Sequence, residues 1–137
     1  MPTELLLMPL PESPELLQVL EDCESCERIC VHVALTQSLE QGGDHVEPSH
    51  FRLLMSCASM CSTTAMSIAG GFDTQEELCR LCASVCRACA ESCRRIGDVE
   101  DCVEACERCA RSCDRLLGRP LVADSFPADE GPSLGRQ

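Results

Sequence analysis

"LCRLCASVCRACAESCRR", residues 78–95, decides how this chain folds. It sets cysteines at 79, 82, 86, 89 and 93, with gaps that alternate between three and four, and it contains neither Gly nor Pro. At 3.6 residues per turn, that spacing keeps every sulfur on one face of an α-helix. Outward from this stretch the same spacing recurs in Cys23, Cys26 and Cys30, in Cys57 and Cys61, and in Cys102, Cys106, Cys109 and Cys113. The rows continue in apolar residues: Leu16, Val19 and Val33, then Leu54 and Ile68, then Ile96, then Leu116. Thiols thus stand where a helical bundle ordinarily places Leu and Ile.

Local punctuation divides the chain. Ser13-Pro14-Glu15 reads as an N-cap, a proline at the first helical position and an acid in the first turn. Gly42-Gly43 stops that helix, and Pro48-Ser49 opens the next, which ends at Gly70-Gly71. Asp73 with Glu76 predicts a capping box for the third helix, closed by Gly97. Asp98 is the expected cap of the fourth, which Gly118 and Pro120 terminate. The fold class is all-α, an antiparallel up-down-up-down four-helix bundle with a Cys-lined core. Its helices span about 13–40, 48–69, 74–96 and 99–117 within a domain of residues 13–118. Residues 1–12 form an N-terminal extension, and the Pro- and Gly-rich residues 119–137 are expected to be a disordered tail.

Composition narrows the function. The 137 residues suffice for one core, and the net charge of −12 argues against nucleic acid. The N-terminus "MPTELLLMPLPESPELL" has no basic n-region and too short an apolar run for a signal peptide. No stretch approaches the ~20 apolar residues of a membrane span. The expected address is the cytosol, where thiols stay reduced and dense cysteine means metal more often than bridges.

Three chemistries compete for the 14 cysteines. As small hydrophobes they would pack less well than Leu, which buries more area. Disulfides require Cα atoms within ~7 Å and converging Cβ vectors, whereas neighbours on one helix project side by side. Soft-metal binding fits better: Cβ atoms three or four residues apart lie ~5–6 Å from each other, so two thiolates of one helix can share an ion. That suits Cu(I), which is content with two or three sulfurs. Zinc demands four in a tetrahedron, which a row on a straight helix does not supply repeatedly. Charge agrees, because one Cu(I) per thiolate leaves the interior neutral while one Zn(II) per four leaves a surplus.

The rows "CRLCASVCRACAESC" and "CVEACERCARSC" resemble the bacterial copper storage proteins, in their cytosolic branch, over about residues 15–118. The resemblance implies a non-enzymatic bundle holding multiple Cu(I) ions, mostly between thiolates of one helix, for storage or detoxification. It also implies a homo-oligomer, a dimer or tetramer. Mapped onto this chain, the ligand set is Cys23, Cys26, Cys30, Cys57, Cys61, Cys79, Cys82, Cys86, Cys89, Cys93, Cys102, Cys106, Cys109 and Cys113. Helix 2 is poor in thiols, and Thr64 and Val99 occupy row positions that cysteine would extend. The alternatives are a Zn/Cd sink, expected to saturate near three divalent ions, and a thiol–disulfide redox protein.

Secondary features attach to this frame. His50 lies seven residues before Cys57 on the same face, at the bundle end holding Cys93 and Cys102, and is the expected Cu(I) entry ligand; the alternative is that it only helps cap its helix. His32 falls on the far side of its helix, His45 in a loop, and Met60 borders the row as thioether donor or core filler. Between Ser49 and Phe72 the only formal charge is Arg52, so a second protomer or "LLLMPL" (residues 5–10) is expected to cover that helix. Helices 1 and 4 carry most of the acid, read as solvated faces, with attraction for a basic copper donor or chaperone as the sharper possibility.

Overall fold

The computed structural model describes residues 13–118; the N-terminal extension, with its "LLLMPL" segment, and the tail lie outside them. Four helices pack in a ring, each touching its two neighbours in sequence, and the first touches the last. Helix α1 runs as Pro14–His32, continues through a π-helical stretch (Val33–Ser38) and ends in one α turn (Leu39–Gln41). A 3₁₀ turn (Gly43–Val46) leads to α2 (Pro48–Gly70); α3 (Gln75–Ile96) and α4 (Glu100–Leu117) follow. There is no strand among the described residues.

The helix starts obey different chemistry. Ser13 Oγ accepts from the amides of Glu15 and Leu16, as its N-cap position predicts. The carboxylate of Glu47 accepts the His50 amide at the start of α2, so His50 is capped by another residue and does no capping with its own ring. The expected capping box is absent: Thr74 precedes α3 in a non-extended conformation and makes no side-chain cap. Asp98 likewise does not cap α4. It stands in the left-handed region at φ 63°, one residue early, and Val99 takes the boundary position. At the end of α2, Gly71 adopts φ 68° and Phe72 N–H returns to Ser67 O at 3.0 Å, which closes the last turn.

The core is narrow. All 14 cysteines are buried, and the largest other apolar side chains sealed inside are Leu54, Ile68, Val19 and Val33. Ala83, Ala90, Ala105 and Ala110 are buried on α3 and α4, where their small size lets the two helices approach closely. Leu16, Ile96 and Leu116 continue the rows but are only partly buried.

Two expectations about surfaces are corrected. Asp22 and Asp114, counted among solvated acids, are buried: Asp22 accepts from Ser112 and Gln18, and Asp114 pairs with Arg87 at 2.9 and 3.2 Å. Helix α2 is, by length and composition alone, long and apolar enough to cross a membrane, which the sequence reading denied. A core helix passes the same test, and α2 gives Leu54, Cys57, Cys61 and Ile68 to the bundle interior. Its outer face exposes Met55 and Met66, with Phe72 beyond its end.

Candidate metal centre

The four rows meet along the bundle axis. Because α1 and α3 run one way and α2 and α4 the other, cysteines distant in sequence fall at the same height. The lower level joins Cys23, Cys61, Cys82 and Cys109, one sulfur from each helix. Above it lie two overlapping sets, Cys26, Cys57, Cys61 and Cys86, then Cys26, Cys30, Cys57 and Cys106. The upper level joins Cys30, Cys89, Cys102 and Cys106. Within each set all sulfurs lie within 4.8 Å of one another. Cys79 and Cys113 are buried below, and Cys93 closes the top at 3.4 Å from Cys102.

Sulfurs also approach one another across helices. The close pairs within one helix, Cys26–Cys30 and Cys82–Cys86, are both at 4.0 Å, whereas pairs across helices lie at 3.4–3.9 Å. Cys23 is 3.6 Å from Cys109 and Cys57 is 3.7 Å from Cys86. Antiparallel rows therefore supply the four-sulfur sets that one straight row does not. Their overlap limits them. The set of Cys23 shares Cys61 with the next, and the two sets containing Cys30 share Cys106, so no more than two can be filled independently. Tetrahedral divalent ions thus have room for two, below the three expected from the thiol count.

Burial and hydrogen bonding sort the thiols electrostatically. Cys102 is pulled well below the ordinary thiol range, first by Cys106 and then by Cys30, and Cys106 is pushed up, first by Cys102. Cys93 is pushed up, first by Cys102, to which it donates its S–H. Cys113 is held down to about 6 by hydrogen bonding with Cys109, Cys23 and Cys79. Protons shared along such a chain are released when metal replaces them.

The two ends of the sulfur column differ. The lower end is sealed by Val19 and Ile68, with Leu16 and Leu116 packed at its edge. The upper end holds buried polar groups. His50 is 1% exposed, its Nδ1 lies 2.7 Å from Ser92 Oγ, and that oxygen also accepts from Arg95 at 3.2 Å. Burial, then the Arg95 charge, holds the His50 imidazole below its ordinary range, which favours the neutral form a metal requires. Its partner Ser92 immediately precedes Cys93 in α3. His32 is exposed, as its face predicts; His45, undetermined in sequence, is buried; Met60 packs partly buried against the core.

A family model described as "Copper storage protein" matches residues 12–118. The chain belongs to the copper storage protein family. Structures of similar proteins agree with that membership. A crystal structure of a protein from Nitrosospira multiformis is 36% identical, with a TM-score of 0.74, over 76% of this chain and 95% of that one. The Cu(I)-bound copper storage protein BsCsp3 is 29% identical, with a TM-score of 0.66, over 71% of this chain and 92% of its own. A histidine-to-alanine variant of the Ccsp protein from Streptomyces lividans is 28% identical, with a TM-score of 0.64, over 76% of this chain and 92% of that one. No curated protein sequence matches the chain.

Proposed function

We infer that this family member stores many Cu(I) ions per chain on the 14 core thiolates, in the bacterial cytoplasm and without catalysis. One observation carries the reading: every cysteine is free and buried, and sulfur neighbours sulfur from Cys23 and Cys109 at the lower level to Cys93 at the top. Fourteen buried thiols confer little as packing, and as thiolates they demand cations. Monovalent ions at near-equal number neutralise the column, whereas two tetrahedral Zn(II) or Cd(II) ions would leave six thiols without metal.

Copper enters at the upper end. The lower end is closed by aliphatic side chains, while the upper offers His50 above Cys93 and Cys102. Storage and detoxification share this chemistry, and a basic copper donor suits the net charge of −12. The exposed face bearing Met55 and Met66 is the natural contact for a second protomer in a dimer or tetramer.

Anaerobic titration with a chromophoric Cu(I) chelator as competitor tests the reading. Storage requires uptake well beyond four Cu(I) per chain. Saturation at two divalent ions, with weak Cu(I) uptake, would establish the sink, and turnover of a dithiol substrate would establish a redox enzyme.

A further inference from the structure

Three of the four seams in the ring join helices that follow one another in the chain, and the connecting segment limits how far each pair can slide. The seam between α1 and α4 has no such tether, so side chains must set the height at which those helices meet. That seam carries a regular ladder of sulfurs. Cys23 lies 3.6 Å from Cys109, Cys26 lies 3.7 Å from Cys106, and Cys30 lies 3.7 Å from Cys102. Each step up α1 matches an equal step down α4, as antiparallel helices in register require.

Thiols alone specify this register weakly. The rows repeat one small side chain every three or four residues, so a slip of one turn sets Cys23 beside Cys106, thiol against thiol again. Apolar packing is non-directional and separates such heights poorly. A buried directional pair separates them sharply, and fixing the register of packed helices is the best-attested use of buried polar groups.

Asp22 on α1 and Ser112 on α4 form such a pair. Ser112 Oγ–H donates to Asp22 Oδ2, which also accepts from Gln18 Nε2 at 3.2 Å. Asp22 is 6% exposed and Ser112 1%. Burying a carboxylate costs free energy, and Ala83, Ala90, Ala105 and Ala110 show that small apolar side chains fill buried positions on α3 and α4. Packing therefore gives no reason for an acid at position 22. Asp22 immediately precedes Cys23, and Ser112 immediately precedes Cys113. Successive residues on a helix point about 100° apart, so both side chains flank the sulfur rows on the side of the shared seam.

We propose that Asp22 and Ser112 are positioning residues for copper. Their hydrogen bond fixes the height of α1 against α4 and keeps Cys23–Cys109, Cys26–Cys106 and Cys30–Cys102 level for ions shared between the helices. Cys23 is the α1 member of the lower four-sulfur set, so a slipped α1 withdraws its sulfur from that set. The assignment rests on the copper-storage reading and adds to it two residues outside the ligand set.

The test is anaerobic competition for Cu(I) against bicinchoninate at half loading, with circular dichroism to check the fold. Asp22→Ala and Ser112→Ala should each weaken Cu(I) binding by about tenfold, the lower end of what outer-shell partners contribute, with capacity unchanged because all thiols remain. Together they should weaken it no more than the worse single variant, since all three lack the same bond. Asp22→Asn keeps an acceptor for Ser112 and should bind as the parent does. Asp114→Asn breaks the buried pair on the α3–α4 seam, where a turn already holds the register, and should lose stability without losing affinity. Ser112→Ala removes only a hydroxyl and carries the test should Asp22→Ala fail to fold. Parental affinity in the folded alanine variants overturns the positioning role, and so does an equal loss in Asp114→Asn, which would track stability alone. Asp22→Asn as weak as Ser112→Ala overturns it too, because charge and not register would then be at work. Refusal of Cu(I) by the unaltered protein would instead overturn the storage reading.

Discussion

Cys93 Sγ lies 3.4 Å from Cys102 Sγ across the turn that joins α3 to α4, the shortest sulfur contact found in the column. Cys93 is also the one cysteine with residual exposure, 1%, at the floor of a cleft of about 340 Å³ lined by Gly97, Asp98 and Glu100. Proximity, access and the depressed titration of Cys102 converge on these two residues. In the apo-protein a mild azo oxidant, which takes two electrons and two protons from the thiols, should bridge Cys93 to Cys102 before any other pair. Peptide mapping by mass spectrometry reads the order. A first bridge deeper in the column would mean that breathing of the bundle, and not the geometry of its mouth, governs access.

Ser92 is predicted to act on copper uptake through His50. Its oxygen sits between His50 Nδ1 at 2.7 Å and Arg95 Nη2 at 3.2 Å, so it sets which imidazole nitrogen keeps a lone pair. Ser92→Ala should slow loading by about tenfold, the lower end of what outer-shell partners of metal-binding histidines contribute. Ser92→Thr, which keeps the hydroxyl, should restore the rate. A purely structural role would move thermal stability and leave the rates of the two variants alike.

Much of this was legible in the sequence, for an identifiable reason. Cysteine spacing of three and four encodes which face of each helix turns inward, and Gly and Pro encode where each helix stops. Partnering across helices was not legible. Rows reveal a face but not the height at which Cys23 meets Cys109, so the sets of four and their overlap at Cys61 and Cys106 emerge only from packing. The cap assignments of Asp73 and Asp98 failed because capping depends on backbone angles as much as residue type, and Asp98 occupies the left-handed region. The π-helical stretch has no breaker to announce it. Thr36 Oγ1 donates to His32 O within it, and Ser38 is buried while Gln37 is exposed. His45 lacks any helical period and reads as a loop residue, yet it is buried in a 3₁₀ turn that packs against α2.

The buried ion pair below the middle of α4 offers a stability test independent of metal. Asp114 is fully buried and receives two bonds from Arg87, whose side chain keeps 27% exposure. Asp114→Asn keeps the volume but removes the charge. The expected loss is about 2 kcal/mol, typical of a hydrogen bond to a charged group. For a domain of this size that lowers the apo melting midpoint by roughly 10 °C. A change of only a degree or two would show that water reaching Arg87 already screens the pair.

Capacity should follow thiol number, and Thr64 is where to ask. It continues the α2 row of Cys57 and Cys61 at the alternating spacing and is fully buried, its Oγ1 donating to Met60 O at 2.8 Å. That carbonyl lies in the helix interior, where the backbone ladder already engages it, so losing the hydroxyl leaves no acceptor stranded. Cys is close to Thr in size, so Thr64→Cys should fold as the parent does. With one more thiolate facing the column, anaerobic titration should find about one additional Cu(I) per chain. If the variant is as helical as the parent and saturates at the parental value, cluster geometry and not the supply of sulfur sets the limit. Neutralising each thiolate with one cuprous ion would then be the wrong account of the core.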